Sequence, residues 1–144
     1  MNDTVIKDIT INAPIQVVWS IVTKLDKWFA ETANFELQPG RKGTIGWKEM
    51  GEAPIEVVTV DQPNTFAFLW VAPDEETKKV NGQTLVTLHL SEVNDGTKVS
   101  VEESGFSKLA LTDDEKTELI GKHTEGWTYF VSQIQVEVKS VLND

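Results

Sequence analysis

His123 and Trp127 stand four residues apart in the stretch His123-Thr-Glu-Gly-Trp127, a spacing that puts both side chains on one face of a helix. An imidazole beside an indole on an inward face suits two tasks. It can be the polar anchor of an apolar pocket, donating to a ligand carbonyl or carboxylate with Trp127 as the wall. It can equally be a structural histidine, bonded to backbone or to a loop carboxylate, with Trp127 as core. Paired with Glu49 or Glu103 it would be equipped for acid/base work, because imidazole titrates at about pH 6.5. Nothing in the spacing brings either carboxylate to it.

The other candidate groups are weaker. His89 falls on the strand face opposite Val86, Leu88 and Leu90 and reads as exposed. Two histidines on different elements, with no third ligand at a metal-binding spacing, do not make a zinc site. Ser100, Ser104 and Ser107 have no strand-to-helix elbow around them. Gly40, Gly43 and Gly46 follow no phosphate-loop plan. The chain has no cysteine, which excludes disulfides, thiolate metal sites and thiol catalysis. No catalytic residue, metal or cofactor is therefore expected.

Aromatic residues are the richer signal. Five tryptophans and six phenylalanines accompany one tyrosine, and a domain this small must bury them or line a cavity with them. Trp47, Phe66, Phe68 and Trp70 lie on strands, while Trp28-Phe29 lies where short helices would close one end of a cavity. The expected pocket comprises Trp28, Trp47, Phe68, Trp70 and Trp127 as walls with His123 as the orienting polar group, and Trp28-Phe29 as a gate.

These residues need elements to hold them. Asp113 to Leu142 carries the only sustained helical repeat: Leu119, Ile120, His123, Trp127, Phe130, Val131, Ile134, Val138 and Val141 recur at three- and four-residue steps. Thr112-Asp-Asp-Glu115 is a capping box before it. Gly121 and Gly126 inside the repeat lower helix propensity by about 1 kcal/mol each and predict close packing or a bend. Upstream, Thr4 to Ile11 alternates as a first strand near an edge. Asn12-Ala13-Pro14 opens a short helix through Val22, capped by Asn12 or Ala13, and Thr23 is a candidate cap for a second around Leu25-Trp28-Phe29.

Phe35 and Leu37 then predict a brief strand ending at Pro39-Gly40. Thr44 to Met50 reads as a strand with Ile45, Trp47 and Glu49 on one face and a thin spot at Gly46 on the other. Gly51-Glu52 turns the chain into Ala53 to Val60, which carries a bulge-like irregularity. Thr65 to Val71 is apolar on both faces, so it should be central, with its outer face covered by a loop or an oligomer partner. Pro73 to Gly82 reads as an exposed connection containing the basic pair Lys78-Lys79 beside Glu75 and Glu76. Thr84 to Leu90 and Thr97 to Glu103 pair through the hairpin signal Asn94-Asp95-Gly96. The order is one strand, two short helices, about six strands and a long helix. This predicts an α+β fold: a strongly curved antiparallel sheet wrapped around a long C-terminal helix.

A chain of 144 residues with 40% apolar content makes one domain with a substantial core. Its formal charge of -10 disfavours nonspecific attachment to nucleic acid or anionic membranes. No secretion signal or transmembrane run is legible, so the expected location is cytoplasmic.

Taken in order, several short pieces resemble one family. They are Ala13-Pro14 with Val18-Trp19, Trp28-Phe29, Pro39-Gly40 with Gly43, and Val57 to Pro63 leading into Phe68 and Trp70. Gly96-Thr97 with Val99 and Val101, Gly105-Phe106, and His123, Gly126 and Trp127 complete the set. The chain resembles the domain at the C-terminal end of the activator of the Hsp90 chaperone ATPase, in the START/Bet v 1-like (SRPBCC) superfamily. The resemblance spans nearly the whole chain and implies a helix-grip fold. It further implies binding of hydrophobic small molecules or lipids, or a stress-related role. The chaperone activator carries an additional N-terminal domain, so an Hsp90-type partner is not expected for this chain.

Three functional expectations follow. The first is a binding domain for a hydrophobic or amphipathic molecule; the second is a protein-interaction module, such as a homodimer or a partner of a client or chaperone. The third is a hydrolase, cyclase or dehydratase using His123 with a carboxylate, which requires the pair to converge beside an accessible pocket.

Overall fold

The computed structural model describes residues 3–72 and 82–143. Seven strands form one antiparallel sheet in the order β1-β7-β6-β5-β4-β3-β2. The strands are β1 (Thr4–Ile11), β2 (Thr32–Asn34), β3 (Lys42–Trp47), β4 (Gly51–Asp61), β5 (Thr65–Trp70), β6 (Thr84–Val93) and β7 (Gly96–Ser104). Two short helices, α1 (Ile15–Val22) and α2 (Leu25–Trp28), follow β1, and the 30-residue α3 (Asp113–Leu142) ends the fold. The sheet curves around α3 as the alternation and the helical repeat require. Trp127, Val131, Ile134 and Val138 are the buried residues of α3, and the helix packs along β1, α1 and α2.

Sheet order explains the burial pattern. Central β5 buries Phe66, Phe68 and Trp70 inward and Ala67 outward, and Leu69 is partly covered, within the chain itself. Edge strand β1 buries only Val5 and Ile11 fully, with Asp8 and Thr10 exposed. The β4–β5 turn is tied to β6 through Asn64, whose carbonyl accepts from Leu90 N at 2.7 Å and whose side-chain amide donates to Leu90 O at 3.1 Å. Thr97 Oγ1 donates to Ala13 O at 2.9 Å, pinning the entry of α1 to β7. The bulge in β4 lies between Val57 and Thr59, where Val58 turns outward.

Several local expectations are corrected. Pro14 itself occupies the cap position of α1, with extended backbone and no side-chain cap, so neither Asn12 nor Ala13 fills that role. Lys24 occupies the cap position of α2 without a side-chain cap bond, and the Thr23 hydroxyl instead donates back to Trp19 O at 2.9 Å. The strand expected at Phe35 and Leu37 lies instead at Thr32–Asn34, since these residues pair with β3 while the Phe35 ring packs on Phe66. Its approach is close: a Cβ on Gly46 would sit 2.8 Å from Thr32 Oγ1. β3 stops at Trp47, so Glu49 is an exposed turn residue rather than a neighbour of Ile45 and Trp47, and Gly51 and Glu52 already belong to β4. β6 runs three residues beyond Leu90. The expected connection at 73–81, including Lys78-Lys79, lies outside the described residues.

In α3 the capping box forms as read: Thr112 Oγ1 accepts from Glu115 N, and Glu115 Oε1 accepts from Thr112 N. The helix glycines do not mark close packing. A Cβ added at Gly121 or at Gly126 meets nothing within 4 Å. Val141, assigned to the apolar stripe, is exposed.

Gly121 is exposed and helical, so Gly121→Ala removes backbone freedom from the unfolded chain without creating a clash. The expected gain is about 0.5–1 kcal/mol, read as a higher denaturation midpoint with an unchanged slope in urea.

Candidate functional site

The inward alternation of β7 runs Thr97, Val99, Val101 and then Glu103, all fully buried. A carboxylate at that last inward position is costly unless every lone pair finds a donor. Four donors converge on it. Oε1 accepts from His123 Nδ1 at 2.6 Å and from Trp127 Nε1 at 2.8 Å. Oε2 accepts from Thr84 Oγ1 at 2.5 Å and from Trp70 Nε1 at 3.0 Å. The donors come from α3, β6 and β5, so a single side chain stitches the helix to three adjacent strands. No buried side-chain nitrogen or oxygen among the described residues lacks a partner.

The electrostatics follow from this geometry. Burial by itself pushes the Glu103 carboxyl up, and it is the largest single influence. The hydrogen bond and charge of His123, with the bonds from Thr84 and Trp127, together outweigh it and hold the carboxyl below its ordinary value. Glu103 is thus kept ionised, and Glu49, exposed in the β3–β4 turn, is not the partner of His123.

Aromatic rings occupy the wedge between α3 and the sheet, and Phe29 is at their centre. Its ring stacks on Trp127, with centroids 5.0 Å apart and planes 6° from parallel. It meets Trp70, Trp47 and Phe130 edge-on at 5.2, 5.5 and 4.9 Å. Such tilted and edge contacts suit the ring quadrupoles. The Trp47 indole donates to Phe29 O at 3.0 Å, which fixes the residue after α2 against the end of β3. Phe29 is buried, packed inside the aromatic cluster.

What the rings leave open is a pocket of about 240 Å³. Phe29, Trp47, Trp70, Trp127 and Phe130 wall it, and His123 and Lys122 supply its polar edge. Met50, Ala72 and Gly126 complete the lining. Four of the six residues expected to form the pocket come together here, Trp47, Trp70, His123 and Trp127, and Phe29 of the expected gate lines it as a wall. Trp28 and Phe68 stand behind the wall. Trp28 donates to Val22 O at 3.2 Å and packs on Trp127, and Phe68 is fully buried against Phe29 and Phe66. His89 is exposed on the other face, with Nδ1 3.2 Å from Thr65 Oγ1.

Sequence reading named Glu103 beside Glu49 as a carboxylate for His123 without deciding between them, and it missed Phe29 as the centre of the cluster and the open Cβ position at Gly126. The signal for Glu103 was available: it continues the inward set begun by Val99 and Val101, and an acidic residue there demands donors. Among the described residues no three His, Asp or Glu side chains gather into a metal-binding group. A broader depression of about 430 Å³ lies between the start of α1 and the β6–β7 turn, bordered by Pro14, Gln16, Glu92 and Asp95. No aromatic ring lines it and it shares no residue with the aromatic pocket; its lining mixes Ala13, Pro14 and Ile15 with polar and acidic side chains.

Glu103→Gln keeps the shape but replaces one acceptor oxygen by a donor, leaving buried N–H and O–H groups facing it. A loss of about 3 kcal/mol in urea unfolding is expected at neutral pH. The pH dependence has a definite sign. Because the folded carboxyl titrates below its unfolded value, its stabilisation is complete above the unfolded value and fades as pH falls through the folded one. The acid decline of the urea midpoint should accordingly be shallower in Glu103→Gln than in the unaltered chain.

With the geometry established, three comparisons place the chain. The family model described as "Activator of Hsp90 ATPase homolog 1-like protein" matches residues 12–139. A search of curated proteins by sequence finds no match. Among solved structures, a protein from Mesorhizobium loti superposes with a TM-score of 0.80 at 21% identity, over 95% of this chain and 97% of its own. A Bacillus halodurans protein gives 0.74 at 24% identity, over 96% and 97%. The Aha1 dimer from Colwellia psychrerythraea gives 0.70 at 16% identity, over 92% of each chain. At these identities the structures speak for a shared fold. The family match covers most of the chain, and the chain belongs to the Activator of Hsp90 ATPase homolog 1-like protein family.

Proposed function

We propose that this chain binds a small hydrophobic or amphipathic molecule in the aromatic pocket between α3 and strands β3 and β5. The observation that carries the reading is the unfilled space of about 240 Å³ with five aromatic walls and one imidazole at its edge. Apolar burial against those rings would supply most of the affinity, at about 25 cal/mol per Å² removed from water. The imidazole, held by a buried carboxylate, would orient the ligand. The volume suits a compact molecule of one or two rings rather than a long-chain lipid, because Phe29 occupies the middle of the wedge.

Self-association is a second reading with its own support. Tyr129 and Val136, seven residues apart on the outer face of α3, are 58% and 54% exposed. The similar protein from Colwellia psychrerythraea is a dimer. Light scattering on the unaltered chain and on Tyr129→Lys separates a dimer built on this face from a monomer.

Gly126 offers a clean test of the pocket, since its Cβ position is empty and lines the cavity. Gly126→Phe should fill the space and leave the fold intact, with an unfolding midpoint equal to or above that of the unaltered chain. Binding of para-nitroanisole, a one-ring probe of the stated size, followed by quenching of tryptophan emission, should weaken about tenfold or more. Undiminished binding by a folded Gly126→Phe would place the ligand elsewhere and remove the proposal.

A further inference from the structure

We infer that α3 is two units in series: a strap, residues 113–126, that melts locally while the body of the fold stays closed, and an anchored half from Trp127 onward. Opening of the strap uncovers Glu103 and one side of the aromatic pocket. The opening holds whether or not a molecule enters there, so it stands apart from the pocket reading above.

Burial divides the helix at Gly126. Trp127, Val131, Ile134 and Val138 are its buried residues, and all lie in the second half. No residue from 113 to 126 is buried; Leu119, Ile120 and His123 are half-buried at the border of the core. A stretch with so few buried apolar contacts opens at low cost. Intrinsic helix strength is low in the same stretch. Gly121 and Gly126 each weaken it relative to alanine. The Thr117 and Thr124 hydroxyls donate to Asp113 O at 3.0 Å and to Ile120 O at 2.7 Å, back-bonds that slightly destabilise a helix. The capping box at Thr112 opposes these effects only at the first turn. Detached from the body, a helix of this length is marginal in water, so leaving and melting are one event.

Two polar contacts tie the strap to the body. Lys116 Nζ donates to Ser107 O at 2.8 Å at an exposed site, and His123 Nδ1 donates to Glu103 Oε1 at 2.6 Å. The chain on either side is fixed by apolar burial, with Phe106 and Leu109 before it and Trp127 after it. The strap is therefore an internal segment between two anchors, not a fraying end. When it melts, water takes the place of His123 at Oε1. Trp127, Trp70 and Thr84 belong to the anchored half, β5 and β6, and keep their bonds to the carboxylate. Glu103 is then hydrated instead of being left buried and short of a donor, so the polar cluster does not forbid the opening. Lys122 and His123 leave the pocket edge with the strap, while Phe29, Trp47, Trp70 and Trp127 remain.

Native-state hydrogen exchange, followed amide by amide by NMR, tests this on the unaltered chain without any ligand. Relative to their intrinsic rates, amides of residues 117–125 should exchange about 100-fold faster than those of residues 128–138, with a step at Gly126. Low urea should leave the strap's rates nearly unchanged and accelerate those of the anchored half, because melting the strap exposes little surface. Val138→Ala should speed exchange at residues 128–137 about tenfold or more and leave residues 117–125 as they were. Equal rates with one urea dependence along α3 overturn the inference, because the helix would then open only as a whole. Rates that fall smoothly from residue 117 to residue 138 also overturn it, since that is fraying without a boundary. So does strap exchange that speeds up with Val138→Ala. The comparison of the two halves needs no variant, so a misfolded Val138→Ala would not shelter the inference.

Discussion

The rest of the structure depends on a carboxylate buried where water cannot reach it. Glu103 accepts four hydrogen bonds, from Trp70, Thr84, His123 and Trp127, and each donor comes from a position that must be right for the others to be right. Desolvating an ion is costly by several kcal/mol even after relaxation, so a partly formed version of this cluster is worse than none. Closure of α3 onto the sheet is consequently tied to strand register. Trp70 pairs with Thr84, Val86 pairs with Glu103, and only that register brings β5, β6 and β7 donors and acceptor together. An apolar cluster would tolerate a slipped helix; this one does not.

Stability alone is a weak reason for such a group, since well-packed apolar replacements of buried ion pairs are often as stable. What the carboxylate does that a leucine would not is orient an imidazole. It holds one ring nitrogen, Nδ1, with its proton directed at Glu103. That consideration supports a binding role for the site beyond the fold it helps to close.

The aromatic residues divide the labour differently from what their number suggests. Phe29 sits at the centre of the wedge, stacked on Trp127 and edge-on to Trp47, Trp70 and Phe130, so most of the space under the sheet is solid core. The pocket is the remainder at one end, beside a helix position where glycine leaves room. Phe29 is held there by the Trp47 bond to its carbonyl and by the short α2 before it, a local constraint that limits the size of any ligand.

Periodicity along the chain determined much by itself: the alternation of six of the seven strands, the capping box at Thr112, the Asn94-Asp95-Gly96 hairpin and the 30-residue helix are local patterns that local physics obeys. They were enough for the α+β architecture and for the shared inward face of His123 and Trp127. Cap identity and the ends of β2 and β3 escaped because side chains there chose partners outside their own segment, as Thr23 and Phe35 did. Only the tertiary structure decided that His123 meets Glu103 rather than Glu49, that Phe29 is the centre of the aromatic cluster, and that Gly126 borders open space. Those outcomes turn on the curvature of the sheet and the depth at which α3 lies within it. Neither quantity is carried by any window of sequence, because both are set by contacts among residues distant along the chain.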